Sequence, residues 1–228
     1  MPKKTRAIKK TDEGKAWNRK SKPTSYRVDT IPINKSILIV CEGQTEKLYF
    51  ESYPVLGLKV EAIDLGGQSK TKLVETTGKI IEFSEFNYDE IWCVFDMDYK
   101  NGETEYSDFD NAINKAKQLE YNVAYSNDSF ELWFYLHYNK IETQHLRTFY
   151  YEQLSEKWGL NYEREGKKYA FCQTIYELLL KDNNASQERA INNAKELYEG
   201  QTHLAYHLQN PVTTVYQLVL FLNENLRK

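Results

Sequence analysis

Cysteine is scarce in this chain. There are three, Cys41, Cys93 and Cys172, widely spaced, with no CxxC pair and no histidine set beside them. That spacing argues against a zinc site. An odd count with no secretory signal points to reduced thiols in a cytoplasmic protein. No apolar run approaches the roughly 20 residues needed to cross a bilayer. The basic N-terminus is not followed by a hydrophobic segment, so it does not read as a leader. No internal repeat or long low-complexity tract is present. GxSxG, the P-loop and GxGxxG are all missing, which removes the motif support for a triad hydrolase, an NTPase or a dinucleotide enzyme. Of the four histidines, His203 and His207 are four apart and would share a helix face. Their surroundings, His-Leu-Ala-Tyr-His, lack the glutamate of HExxH, so the pair is not taken as a metal site. His137 reads as a packed or capping residue.

What is present is an uneven charge. The net is −3, yet residues 1 to 28 hold ten Lys or Arg against Asp12 and Glu13, a local +8, and the other 200 residues carry −11. A basic arm on an acidic body suits a tail that tracks a phosphate backbone, with Arg19, Lys20 and Arg27 as its contacts. A solubilising tail, or a site for an acidic partner protein, would look the same. The 18 tyrosines are expected at half-buried positions or along a polar groove.

Residues 1–34 are polar and Pro-interrupted and read as a flexible arm. Order begins near Ser36. Ile37 to Cys41 is an unbroken apolar run of strand length, as in a strand buried on both faces. A helix over Thr45–Tyr53 is stopped by Pro54. A strand over Leu58–Leu65, a helix over Lys70–Phe83, a strand over Glu90–Phe95, a helix over Asp108–Leu119 and a strand over Asn122–Tyr125 follow. This βαβαβαβ order predicts a four-stranded parallel sheet flanked by helices, an α/β domain over residues 35–138. The strand signal then fades. A short aromatic helix over Phe130–Tyr138 leads into helices near 142–157, 168–181 and 185–199. A last helix opens at Asn210-Pro211, giving a helical C-terminal region, 139–228, packed on the domain.

Ligands of open parallel sheets bind outside the carboxyl ends of the strands. Glu42 follows the first strand; Asp96 and Asp98 follow the third. The two sets should therefore meet at one rim although they stand 54 residues apart. In Asp96-Met97-Asp98 the two carboxylates point to the same side of an extended chain, and their repulsion calls for a cation. Oxygen-only ligands favour Mg²⁺, with Mn²⁺ as a substitute. Gly43 removes a side chain where a substrate backbone would approach. Glu46, one turn beyond Glu42, would bind a second ion or serve the helix dipole. Glu131 is the lone charge among large apolar groups. It either joins the site or is satisfied by a salt bridge or at a wet edge. Lys47 and Lys100 are placed to neutralise a phosphate, or are ordinary surface lysines.

ILIVCEGQTEKLYFE (37–51) resembles the first Toprim motif, a strand followed by Glu-Gly-x-x-Glu. IWCVFDMD (91–98) resembles the second, a strand followed by Asp-x-Asp. Toprim domains occur in topoisomerases, bacterial primases and the overcoming-lysogenisation-defect nucleases. The closer resemblance is to the RloB-like family of phage-defence-associated proteins. It is carried by the basic arm, those two motifs, SNDSFELWFYLHY (126–138) and NPVTTVYQLV (210–219). The family segment usually reads Ser-Asn-Pro-x-Phe-Glu; here Asp128 stands in place of the proline.

The resemblance implies a Toprim- or Rossmann-like fold. It implies Glu42 as general acid or base, and Asp96 and Asp98 as metal ligands. It further implies an ATPase partner acting as sensor, with this chain as effector. The reading is Mg²⁺-assisted phosphodiester cleavage of DNA or RNA, tRNA included, with Glu131 or Glu42 assisting a water and a homo-oligomer left open. The rivals are a non-catalytic binding or scaffold module and phosphoryl chemistry on a small nucleotide. A topoisomerase would need a nucleophilic tyrosine, and none is singled out. A primase would need template-binding domains, and none is found.

Overall fold

The computed structural model describes residues 35–63, 69–97 and 103–227, with backbone alone for 103–105. The basic arm with Arg19, Lys20 and Arg27 lies outside the described residues, as do Asp98 and Lys100.

The apolar run at the start of the ordered chain is strand β1, Ile37–Cys41, buried at every position. It pairs in parallel with β2, Leu58–Ala62, on one side and β3, Glu90–Asp96, on the other. Strand β4, Asn122–Asn127, pairs in parallel with β3. Alternation along each strand divides the side chains between two cores, as the two-residue period requires. Ile37, Ile39, Cys41, Trp92, Val94 and Ala124 face one layer. Leu38, Val40, Cys93, Phe95, Val123 and Tyr125 face the other. A strand at the centre of a covered sheet needs apolar residues at successive positions, which is what β1 supplies.

The second layer is made by α2, Lys70–Glu82, and α3, Glu103–Gln118, which pack on each other. The first is made by α1, Gln44–Glu51, by α4, Glu131–Leu136, and by the helices after them. Those are α5, Arg147–Trp158; α6, Tyr169–Cys172; α7, Ile175–Lys181; α8, Gln187–Gln201; and, after a short strand β5, α9, Val215–Glu224. Their buried residues Tyr150, Leu154, Ile175, Leu197 and Val219 belong to the same core as Leu48 and Phe134. The C-terminal helices thus complete the core of the sheet rather than build another. Several tyrosines expected at a groove are instead core residues, among them Tyr49, Tyr150 and Tyr162. No helix among the described residues is long and apolar enough to cross a membrane.

Four corrections concern the second half of the chain. The sheet has five strands, in the order β2-β1-β3-β4-β5, because Val212–Thr213 adds an antiparallel β5 to β4. Hence Asn210-Pro211, whose peptide is cis, precedes a strand, and the last helix starts only at Val215. The expected helix over 168–181 is two, α6 and α7. Between them the Thr174 hydroxyl donates to the Phe171 carbonyl at 2.7 Å, and the Thr174 N–H donates to the same carbonyl at 2.8 Å, so a tighter turn replaces helical bonding. Helix α5 starts at Arg147, five residues later than expected, where Asp128 accepts the Arg147 N–H at 3.0 Å.

Candidate functional site

Strand β1 ends at Cys41, and the Glu42 N–H still donates to the Val94 carbonyl at 2.9 Å. That bond fixes Glu42 at the carboxyl rim beside β3. Its Oε2 accepts the Asp96 N–H at 3.4 Å, so the two acidic positions meet there as the strand order predicts. Its Oε1 accepts from Lys70 Nζ in a short, charge-assisted contact. Lys70 is the first residue of α2, whose N-terminus is held from α3. The Asp108 carboxylate accepts the Lys70 and Thr71 backbone N–H groups and the Thr71 hydroxyl, the last at 2.7 Å. A carboxylate at a helix N-terminus is favoured by the orphan donors and the dipole. Here it also aims Lys70 at Glu42.

Asp96 closes β3. Its Oδ2 accepts the Phe130 N–H at 2.9 Å, which ties the rim to the start of α4. The next residue, Glu131, is 3% exposed. Its Oε1 accepts from the Tyr162 hydroxyl at 3.2 Å and pairs with Lys167 Nζ at 3.3 Å. This is the salt bridge that so buried a carboxylate requires. Lys167 also donates to the Tyr151 hydroxyl at 2.5 Å and lies 4.4 Å from the Tyr151 ring centre. Burial works against its charge, but Glu131 and Tyr151 outweigh that and hold its proton affinity above that of an ordinary lysine.

Glu46, 7% exposed, completes the group. Burial, with the charges of Glu131 and Glu42, raises its pKa to about 7 against the opposing pull of its own backbone N–H. A Cβ at Gly43 would run into the Glu46 carboxylate. In this chain Gly43 therefore makes room for Glu46, rather than only for a substrate. Lys47, half-buried on the same helix, acts electrostatically on the Cys41 thiol. Burial raises that thiol well above its usual range, and Lys47 pulls the other way.

Glu42, Glu46, Asp96 and Glu131 are thus gathered from three separate segments. Asp98, Lys100 and the arm residues lie outside the described part. Sequence reasoning missed Lys70, Lys167, Tyr162 and Asp108. A Ser69-Lys70 helix start signalled only a cap, and nothing near residues 162–167 marked a partner for Glu131. His203 and His207 do not share a helix, since α8 ends at Gln201 and His207 lies in a 3₁₀ turn, Tyr206–Leu208. His137 is buried. Its Nδ1 lies 2.9 Å from the Trp133 carbonyl, and burial lowers its pKa to about 4. Asp128, just after β4, accepts the Arg147 N–H at the start of α5.

Among the described residues no three His, Cys, Asp or Glu side chains are placed to hold a metal ion. In kind, the donor set does fit a hard, oxygen-seeking divalent cation. Burial first, and then the charges of Glu131 and Glu42, raise the Glu46 pKa, with Lys167 opposing. Glu42 and Asp96 are the described residues that would hold such an ion.

These features define a mostly parallel α/β protein with an acidic cluster at its carboxyl rim. The chain belongs to the RloB-like protein family, whose model matches residues 37–222, from β1 into α9. No curated protein and no solved structure matches the chain.

Proposed function

We propose that this protein is a divalent-metal-dependent nuclease of Toprim type, cleaving a phosphodiester bond of DNA or RNA at the Glu42–Asp96 rim. The observation that carries the reading is the contact between Glu42 and Asp96, 54 residues apart, in a setting where Glu46 and Glu131 add further buried acid. Mg²⁺, or Mn²⁺ in its place, would supply charge neutralisation at the scissile phosphate and a more acidic bound water. The chain's own contribution is positional and protonic. Asp96 is oriented by the Phe130 N–H. Glu42 serves as acid or base, and Lys70 beside it offers a cation to a phosphate oxygen. A carboxyl group with a pKa near 7, as in Glu46, suits proton transfer at physiological pH. The arm's Arg19, Lys20 and Arg27 would track the nucleic-acid backbone. An ATPase partner and a role in anti-phage defence, from the family resemblance, and a cytoplasmic location, from the unpaired cysteines, complete the proposal.

A second reading is a non-catalytic binding or scaffold module. It is favoured by Lys70 and Lys167, which already neutralise Glu42 and Glu131 without any ion. The full chain, alone and with a partner ATPase, is incubated with plasmid, single-stranded DNA and tRNA in Mg²⁺ or Mn²⁺. Cleavage that falls at least 100-fold in Glu42→Gln and Asp96→Asn supports the nuclease. Binding without cleavage under either metal supports the module.

A further inference from the structure

A second titratable pair stands at the same edge of the sheet and takes no part in the acidic cluster. Met97 N–H donates to the Ser126 carbonyl at 2.8 Å, and Ser126 pairs with Asp96 in register. The next residue, Asn127, donates from Nδ2 to the His207 carbonyl at 3.0 Å. His207 is therefore next along the rim beyond β4. Asp110 of α3 grips it twice. One carboxylate oxygen accepts the His207 backbone N–H at 2.9 Å, and the other lies 2.8 Å from Nδ1. Tyr106, one turn earlier on α3, stacks on the imidazole with ring centres 5.3 Å apart and planes 18° from parallel.

This arrangement holds the ring in one orientation. A carboxylate on Nδ1 keeps the proton there, so Nε2 carries the chemistry. Among the described residues Nε2 forms no hydrogen bond, and the side chain is 25% exposed. The charged or titratable groups described around it are Asp110, Tyr106 and Lys117 of α3, Tyr125 of β4 and Tyr206 of its own turn. Lys117 reaches that turn by donating to the Tyr206 hydroxyl at 2.8 Å, and Tyr125 packs edge-on against the Tyr206 ring. Lys117 adds positive charge on the same flank.

We infer that His207 is a phosphate-binding residue: its protonated imidazole donates Nε2–H to a backbone phosphate of a nucleic acid laid across the β4 side of the rim. The inference rests on the proposed nucleic-acid reading of that rim. It adds a contact on the flank of the reacting phosphate, and a binding strength set by pH.

The test measures binding of a labelled single-stranded oligonucleotide to the full chain by fluorescence anisotropy. A chelator is present so that cleavage cannot intervene. The expected result is affinity about 5-fold higher at pH 6 than at pH 8, since a histidine loses its charge across that interval. Glu46 ionises over the same range, so the variant carries the decision. His207→Gln should weaken binding at pH 6, flatten most of the pH dependence and lower the salt slope by about 1 at pH 6 but not at pH 8. Asp110→Asn keeps an acceptor for the backbone N–H but loses the carboxylate that orients the ring, and it too should weaken binding at pH 6. Circular dichroism checks folding, and Asp110→Asn decides alone if His207→Gln does not fold. Wild-type pH and salt dependence retained in the variants overturns the inference and leaves the nuclease reading standing. Failure of the wild type to bind any oligonucleotide at either pH overturns the inference, and failure to bind or cleave with Mg²⁺ or Mn²⁺ restored overturns both.

Discussion

Glu46 shows at the scale of one residue how the rim departs from an ordinary acidic surface. Its folded pKa of about 7 exceeds its unfolded value, with burial the first cause and the charges of Glu131 and Glu42 next. The folded state therefore binds this proton more tightly than the unfolded state. Stability falls as pH rises from the ordinary glutamate range, about 4.3, through 7, and levels off above. Glu46→Gln keeps the shape without the charge. Its gain over wild type in urea denaturation should be near zero at pH 4 and grow to on the order of 3–4 kcal/mol at pH 8. An equal gain at both pH values would show that the carboxylate is not held protonated. Glu42, Asp96 and Glu131 were legible in the sequence because each stands beside a strong local signal: a strand end for the first two, an apolar run for the third. Their partners were not. Lys70 lies 28 residues from Glu42, and Lys167 lies 36 residues from Glu131. Periodicity carries no information about side chains that meet at such separations.

Elements follow the same division. β1, β3, α1 and α2 were read within a residue or two of their observed ends, since each is a local pattern closed by a local stop. β5 escaped because a two-residue strand has no periodicity of its own. It exists through its pairing with β4, where the Ser126 and Thr213 hydroxyls also lie 2.9 Å apart. The start of α5 escaped for a related reason. Leu146 in the cap position makes no side-chain cap bond. The acceptor is Asp128, 19 residues away and 2% exposed, which takes the Arg147 N–H at 3.0 Å and stands 3.7 Å from the Arg147 guanidinium. The carboxylate that replaces the family's proline is therefore a remote helix cap. Asp128→Ala should cost about 1–2 kcal/mol, the range for a lost cap, read as a lower urea midpoint with unchanged slope. Asp128→Asn retains an acceptor and should lose less than half as much. Equal losses would assign the effect to the Arg147 ion pair instead of the cap.

Across the molecule, the two-sided sheet explains why the acidic rim can exist. Apolar side chains cover both faces of β1 and β3, so the polar ends of these strands lie at one edge. The connections then bring α2 with Lys70 and α4 with Glu131 to that edge. The segment between α5 and α6 adds Tyr162 and Lys167 to the cluster. The cost of the arrangement is repulsion and desolvation, registered in Glu46. A divalent ion bound at the rim would relieve that repulsion and bind only the folded chain. At 100 times its dissociation constant, such an ion stabilises by about 2.7 kcal/mol. For a chain of this size that is a rise in Tm of roughly 5–10 °C. Thermal unfolding with Mg²⁺ or Mn²⁺ titrated at pH 7.5 should show this rise, with Ca²⁺ as a comparison for ion size. The rise should disappear in Asp96→Asn and shrink in Glu42→Gln, whether or not a substrate has been found. An unchanged Tm at tens of millimolar of either ion would mean that Lys70 and Lys167 are the rim's lasting counter-ions, and the non-catalytic reading would then stand.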